Sequence, residues 1–362
     1  MRLLIFTQTV DHTDPFLGFF HQWVAEFAKH CEQVQVICLK EGEHDLPDNV
    51  SVHSLGKPFS AKATQGAGIR LYARIAYAWK FYRYVWSLRR EYGAVFVHMN
   101  PEYVVLGGLW WRLWGTYIML WHNHPRRSLL HTIAGRLAHT VFYTSPHAAS
   151  SRLSNAERMP AGIDTELFAP TGASRDRHAI YLQGRVAPSK RIHICLEALR
   201  ILRGHIPATL TIVGPEDPEY GKELRARFAD LLAEGSITFV GPKRNTETPA
   251  LYSVHGVAVN LAAAGHFDKT VLEAMACETP VVIGSSGFEG LVPAEWVVPQ
   301  DDPHALAITL EKMILLPDDQ YQALGAVECA DVVASQGLSM LVNRVMVHCP
   351  HDTHNLEKIE VS

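Results

Sequence analysis

The run NLAAAGHFDKTVLEAMACETPVVI, residues 260–283, decides the fold. Asn260 to Ala263 close a strand, Asp268 and Thr270 offer side-chain oxygens where a helix begins, and Val271 to Cys277 have helix-forming composition. Pro280 stops that helix, and Val281 to Ile283 read as the next strand of a parallel sheet. A glycine-containing loop that feeds a helix N-terminus leaves several backbone N–H groups without a helical carbonyl, with the positive end of the dipole behind them. That is a seat for a phosphate. Glu273 falls one turn in, within reach of a sugar's hydroxyls. The spacing Thr270-x-x-Glu273 also fits a capping box, in which the glutamate only ties back the helix start, and spacing alone does not separate the two.

Around this stretch, 362 residues suit two domains of ordinary size. A hydrophobic content of 48% with 19% charged residues describes a globular chain, not a disordered one. The net charge of −4 gives no case for nucleic acid. Its distribution is uneven, about +5 over residues 1–165 and about −9 beyond, which suggests different partners for the two halves. Six cysteines (31, 38, 195, 277, 329 and 349) include no C-x-x-C pair, so free thiols in a reducing, cytoplasmic setting are expected. Met1 to Val10 lacks the long apolar core of a signal peptide and reads as a first buried strand. Val104 to Trp121 is nearly long enough to cross a bilayer, but Arg112 and Gly107, Gly108 and Gly115 interrupt it; a helix followed by a buried strand, Thr116 to Trp121, accounts for it better.

Strands at Leu3–Thr7, Val34–Leu39 and Ala94–His98 alternate with helices, the first ending near His30 with Phe20, Trp23, Val24 and Phe27 on one face. Gly18 opens that helix, and Asp11 and Asp14 lie in the loop before it, where Asx turns are their common role. Gly68 to Tyr92 reads as a long helix with a buried stripe of Leu71, Ile75, Ala78, Tyr82 and Val85. Its Arg70, Arg74, Lys80, Arg83, Arg89 and Arg90 alternate with Trp79, Tyr84 and Trp86, which suits either peripheral docking on an anionic membrane or an ordinary solvated face. His122 and His124 in WHNHP invite a metal reading, but no further close ligand completes a zinc set. SPHAASSRL reads as a short helix, and about 168–178, which contains the polar run TGASRDRH, as the interdomain linker.

A second sheet opens at Ala179–Leu182, directly before QGRVAPSKRIHICLEAL. Helices follow at Ile192–Leu202, Tyr220–Leu232 and Pro303–Leu315, strands at Thr209–Val213, Ser236–Val240, Val257–Leu261 and Trp296–Val298, and a flexible loop at 284–290. A last helix near Leu338–Val347 precedes a tail from His348, containing His351 and His354, with no packing pattern.

The run DKTVLEAMACETPVV resembles the donor-binding segment of the retaining glycosyltransferases of family 4, which have the two-domain GT-B fold. Gly184-Arg185 with Lys190 five residues on, and Gly162, Ile163, Asp164, Phe168 and Pro170 in RMPAGIDTELFAP, are similar to further family segments. The likeness is strong from Ala161 to Val282 and weak before it. It implies an α/β GT-B chain, two Rossmann-like domains with parallel sheets facing across a cleft: an acceptor-side domain over 1–167, a nucleotide-sugar-binding domain over 178–336, and 337–362 as a returning helix and tail.

The same resemblance implies the roles. Arg185 and Lys190 neutralise the donor diphosphate, and fixed cations waiting for a departing nucleoside diphosphate lower the barrier to its release. Arginine supplies a bidentate fork and lysine a point charge. Glu273 holds the ribose, and Asp268, Lys269, Thr270 and Val271 line the donor segment, the last two through backbone N–H groups. His124, with His122 second, contacts the donor sugar. Gly18 is what remains of the family's glycine-rich loop, and Lys243 neighbours the base pocket. Gly265 stands where the family has an earlier glutamate. The donor is expected to be a UDP- or GDP-sugar, with no cofactor and no metal, since no D-x-D motif is present. The basic, aromatic helix over 68–92, rather than the resemblance, motivates the expectation of a glycan or lipid-linked acceptor in cell-envelope polysaccharide or glycolipid synthesis, with peripheral contact at the inner membrane face. A binding protein without turnover and a sugar-nucleotide epimerase are the alternatives.

Overall fold

The structure, a computed structural model, describes residues 1–57, 67–263 and 265–349, with side chains of the helix that begins at Ala67 described from residue 75. The chain divides into two compact units, Met1–Met159 with Leu341 onward, and Pro160–Met340.

The first unit is built from β1 (Arg2–Val10), α1 (Phe19–His30), β2 (Gln33–Glu41), β3 (Val50–Ser54), α2 (Ala67–Ser87), β4 (Ala94–His98), α3 (Pro101–Leu113), β5 (Tyr117–Trp121), α4 (Leu129–Leu137), β6 (Thr140–Tyr143) and β7 (Ala156–Arg158). Its seven strands lie in the order β3-β2-β1-β4-β5-β6-β7 and pair in parallel. The order reverses between β1 and β4, so the loop after β1 sits at a topological switch point, where such sheets bind ligands. Helix α1 forms as its spacing predicts: Phe20, Trp23, Val24 and Phe27 are all buried. Gly18 precedes it in ordinary helical conformation; a Cβ there would lie 2.6 Å from the Asp14 carbonyl oxygen, so the curl of the loop demands glycine.

The second unit contains β8 (Asp176–Gln183), α5 (Ile192–Leu202), β9 (Thr209–Val213), α6 (Pro218–Arg227), α7 (Ala229–Ala233), β10 (Ile237–Gly241), α8 (Thr248–Val254), β11 (His255–Asn260), α9 (Lys269–Ala276), β12 (Val281–Ile283), α10 (Pro303–Ile314) and α11 (Asp318–Ser335). Helix α12 (Leu338–Val347) carries the chain into the first unit from Leu341. The five parallel strands run β10-β9-β8-β11-β12, reversing between β8 and β11. The α/β GT-B class expected from the sequence is therefore observed, with one doubly wound sheet in each unit.

Several expectations need correction. Helix α2 stops at Ser87, leaving Arg89 and Arg90 in the turn beyond it. Ile75 is 60% exposed, because Phe81, Val85 and Leu88 set the buried face; Leu71, Arg70 and Arg74 have side chains outside the described residues. The run 168–178 is not a tether: Phe168 is buried in the second unit's core, and Arg175 donates to the Thr279 hydroxyl and to the His255 and Cys277 carbonyls. SPHAASSRL shrinks to a single 3-10 turn, Ala149–Arg152, and Tyr220–Leu232 is broken into α6 and α7 at Phe228. The expected strand at Trp296–Val298 is a lone bridge from Val297 to Ile283. The loop 284–290 is packed, with Gly287 and Phe288 buried. The tail is not patternless at its start, since Cys349 is buried and His348 Nε2 lies 2.7 Å from Glu157 Oε2; His351 and His354 lie outside the described residues. Strand β3 and helices α4 and α11 had no counterpart in the sequence reading. All six cysteines are free. Among the described residues no helix is long and apolar enough to cross a membrane.

Candidate functional site

The loops after β8 and β11 flank the second unit's switch point, and they bring together residues 78 positions apart in the chain. The Lys190 ammonium forms an ion pair with Asp268 Oδ2. Asn260, the last residue of β11, donates from Nδ2 to the same Asp268 oxygen at 3.0 Å and to the Thr270 hydroxyl at 3.2 Å. Its Oδ1 accepts from the Ala262 N–H at 3.0 Å, which fixes the amide's orientation. Burial alone would raise the Asp268 carboxyl, but the Lys190 charge and hydrogen bond, with the Asn260 amide and His266, hold it below its ordinary value. Asp268 is the N-cap of α9 yet makes no side-chain cap bond to the helix. The N-terminus of α9 is therefore not self-capped, and the cation beside it is held by a carboxylate instead.

Glu273 is buried one turn into α9, and its Oε2 accepts a hydrogen bond from the Tyr252 hydroxyl at 3.3 Å. The capping-box alternative is thus not formed: the glutamate turns inward, and Thr270 is engaged by Asn260. Lys269 precedes Glu273 by four residues and donates to the Gly162 carbonyl at 3.2 Å. Burial raises the Glu273 carboxyl and lowers the Lys269 ammonium, while the attraction between them opposes both shifts. Tyr252 is held from behind by Tyr181, edge-on at 4.8 Å. A cavity of about 10 Å³ bounded by Tyr181, Gln183, Tyr252, Asn260 and Thr270 lies under this mouth, room for about one water and nothing larger.

The segment carrying Arg185 is fixed by backbone pairing beyond the strand ends. The N–H of Gly184 donates to the Val213 carbonyl at 2.9 Å, Val186 N–H to Pro215 and Asp217 N–H to Val186. A Cβ at Gly214 would lie 1.9 Å from the Gly184 carbonyl oxygen, and Gly214 has φ +145°, so both space and conformation require glycine. The Arg185 side chain is exposed above this ladder. Arg191, which the sequence reading passed over, adopts a left-handed backbone conformation (φ 50°, ψ 38°) at the start of α5. Its guanidinium donates to Asp301 Oδ1 at 2.7 Å and to the Leu261 carbonyl at 3.4 Å, tying the two switch-point loops together. The signal available in sequence was only a third cation after Arg185 and Lys190.

The remaining candidates lie elsewhere. Lys243 follows β10, and its ammonium is bonded to Glu247 at 3.0 Å on the surface. In the first unit His124 is exposed, its Nδ1 accepting from the Arg126 N–H at 3.0 Å as a loop-stabilising contact. His122 is buried, stacked on His131 at 4.4 Å, and burial together with the His131 and His124 rings pushes its imidazole down to about 4. Asp11 accepts from the Thr13 N–H and hydroxyl, and Asp14 from the Phe16 and Leu17 N–H groups, the turn roles their residue type favours. Gly265, at φ +80°, sits where only a glycine turns without strain.

The architecture and the switch-point site of the second unit define a GT-B-type α/β chain. The sequence profile of the family described as "Glycosyl transferases group 1" matches residues 177–315, most of the second unit, and bears out the resemblance read from DKTVLEAMACETPVV. A D-inositol 3-phosphate glycosyltransferase of Salinispora arenicola is 29% identical over 199 residues, 46% of this chain and 43% of that protein. A GDP-mannose-dependent alpha-(1-6)-phosphatidylinositol monomannoside mannosyltransferase of Mycolicibacterium smegmatis is 30% identical over 152 residues, 36% of this chain and 38% of its own. The chain thus matches less than half the length of these curated relatives. Among solved structures, Anabaena HepE in complex with UDP and glucose has a TM-score of 0.73 at 18% identity, covering 96% of this chain and 98% of that one. Sucrose-phosphate synthase from Thermosynechococcus elongatus has a TM-score of 0.74 at 18% identity, with coverage of 96% and 98%. At such identity these two share the fold.

Proposed function

We propose that the chain is a retaining glycosyltransferase that takes its sugar from a nucleoside-diphosphate sugar. The observation that carries this reading is the Lys190–Asp268 pair at the mouth of α9, with Glu273 buried one turn behind it. A donor diphosphate would take the place that the Asp268 carboxylate holds beside Lys190, and would meet the first-turn N–H groups and the dipole of α9. Arg185 would close on it from the ladder after β8. Glu273 would accept hydrogen bonds from ribose hydroxyls, its charge supported by Lys269 and oriented by Tyr252. As the bond to the anomeric carbon breaks, charge grows on the leaving diphosphate, and cations already in place stabilise it without reorganisation. A donor base of the UDP or GDP type is supported by the relatives and structural neighbours, which include a GDP-mannose-dependent enzyme and a UDP complex.

An acceptor on a lipid or cell-envelope glycan is supported by the outer face of α2 and α3. Trp79 is 62% exposed and Leu113 75%, and Trp86 packs on Trp110 and Trp114 at 5.3 and 5.1 Å. Arg83 lies over both Trp79 and Tyr84, at 5.2 Å from each ring. Aromatics and arginines so mixed suit the headgroup layer of an anionic membrane.

The deciding experiment is a thermal-shift screen of UDP, GDP, ADP and their sugars on the wild type, Lys190→Ala and Glu273→Ala. A ligand that binds only the folded state raises the midpoint. One nucleotide stabilising the wild type and neither variant is the expected result; no shift with any nucleotide overturns the reading. Transfer of labelled sugar to an envelope extract then separates a transferase from a mere binder. Release of UDP with no acceptor present would indicate the epimerase instead.

A further inference from the structure

Two loops and the first turn of α1 bring together polar side chains of the first unit for which the proposed transfer has no use. His12 follows β1, His21 lies in the first turn of α1, and Asp45 lies in the loop after β2. One ligand atom from each falls within 4.8 Å of the other two. His21 Nε2 is 3.0 Å from Asp45 Oδ1, and His12 Nδ1 is 3.8 Å from the same oxygen. Donors held tetrahedrally at about 2.0–2.2 Å from a zinc ion stand about 3.3 Å apart, between those two gaps.

Two further observations point to an ion. His12 Nδ1 is buried and has no hydrogen-bond partner, a state that native structures rarely leave without a ligand or water. On the far side of the same ring, Nε2 faces Glu43 Oε2 at 3.9 Å. At that distance the two are not hydrogen-bonded, but the carboxylate lies on the side from which ligating imidazoles are commonly oriented. The frame is held by backbone bonds: Gly42 N–H donates to the Val10 carbonyl and His12 N–H to the Glu43 carbonyl, each at 2.9 Å. The Asp45 N–H reaches His21 Nε2 at 3.3 Å, a long contact that an ion would displace.

We propose that His12, His21 and Asp45 bind a divalent transition-metal ion of the zinc class, with the fourth position left to water or a substrate oxygen. Two imidazoles and a carboxylate favour such an ion over magnesium or calcium, which prefer all-oxygen shells. The proposal stands apart from the donor-site reading, because no residue of the Lys190 and Glu273 cluster takes part.

The test is a titration of the full chain, stripped by chelator, with Co²⁺ alone, followed through the visible d–d absorption of tetrahedral cobalt. Bands that saturate at one equivalent, vanish on adding Zn²⁺ and survive excess Mg²⁺ are expected. They should be lost in His21→Ala and in Asp45→Asn, and kept in His351→Ala/His354→Ala, which removes two histidines of the tail. Asp45 is exposed, so Asp45→Asn remains informative where His21→Ala fails to fold, as checked by circular dichroism. No bands in the wild type, or bands of equal strength in folded Asp45→Asn, overturn the assignment.

Discussion

The two units share a doubly wound sheet but furnish its carboxyl end in opposite ways. In the second unit the switch point holds charge: Lys190 against Asp268, Lys269 beside Glu273, Arg191 on Asp301. In the first unit the aspartates nearest the switch point, Asp11 and Asp14, are absorbed into turns, and the half-buried imidazoles of His12 and His21 stand beside them. The difference teaches that one scaffold offers two kinds of site. An anion seat needs fixed cations and a helix N-terminus, whereas lone pairs on neutral rings suit metals or hydroxyls.

The sharpest way to break this contrast is steric. Gly214→Ala places a methyl 1.9 Å from the Gly184 carbonyl at a positive φ, whereas Gly18→Ala meets Asp14 at 2.6 Å in an ordinary helical conformation. The first should cost several kcal/mol, at the upper end of single-substitution effects, and the second about 1–3 kcal/mol. Urea unfolding of both variants measures it; equal losses would mean that the ladder after β8 is softer than its geometry indicates.

Next in size is the charge itself. Lys190→Ala should weaken nucleoside-diphosphate binding at least tenfold, since a charge-assisted contact contributes about 1.5–3 kcal/mol. Calorimetric titration with UDP and GDP reads this directly. Lys190→Ala/Asp268→Asn avoids stranding the carboxylate and should be as weak a binder as the single variant while melting closer to the wild type. A double variant that binds like the wild type would remove Lys190 from the site.

A smaller effect separates anion chemistry from packing within the second unit. Glu328 on α11 is buried, and burial, only partly offset by the nearby Val281 N–H and reinforced by Asp331, raises its carboxyl well above the ordinary value. The folded state therefore keeps this proton to higher pH than the unfolded chain, whose carboxyl titrates near about 4.3. Stability from this group is fully present below that pH and falls as pH rises toward the folded value, by about 1.4 kcal/mol per pH unit. Glu328→Gln should match the wild type's melting midpoint near pH 4 and exceed it increasingly toward pH 8. Parallel curves would show that the carboxyl has found a partner.

The smallest effect concerns the first unit's surface. Replacing Arg83 and Arg89 by Gln should reduce sedimentation with phosphatidylserine vesicles by about 1 kcal/mol per residue, leaving neutral vesicles unaffected. Unchanged binding would leave the aromatic face without its lipid partner.

What could be read in the sequence follows the same division. The segment 260–283 is contiguous, so Asp268, Glu273 and Pro280 declared a loop, a helix and its stop within a few residues. The pairing of Lys190 with Asp268 was not visible, because it depends on β8 and β11 being neighbours. In the first unit the proposed ligands are scattered over two loops and the first turn of α1, and no local pattern links His12 to Asp45. Helix α11 escaped notice because its buried positions, Tyr321, Gly325, Glu328 and Val332, include a glycine and a glutamate and so present no apolar stripe. Strand β3 escaped because all five of its residues are only half-buried at the sheet edge. Helix α4 did carry a signal, Ser128, whose hydroxyl accepts from the His131 N–H as an N-cap.

The ladder that continues past β8 and β9 has a thermodynamic consequence. Residues 184–187 are ordered by backbone bonds to 213–217 as part of folding. A loop that must be frozen by its ligand charges that lost entropy to the binding step, and affinity falls accordingly. Here the main chain beneath Arg185 is already hydrogen-bonded in place, so chiefly the side chain's rotamers would remain to be lost on binding the proposed diphosphate.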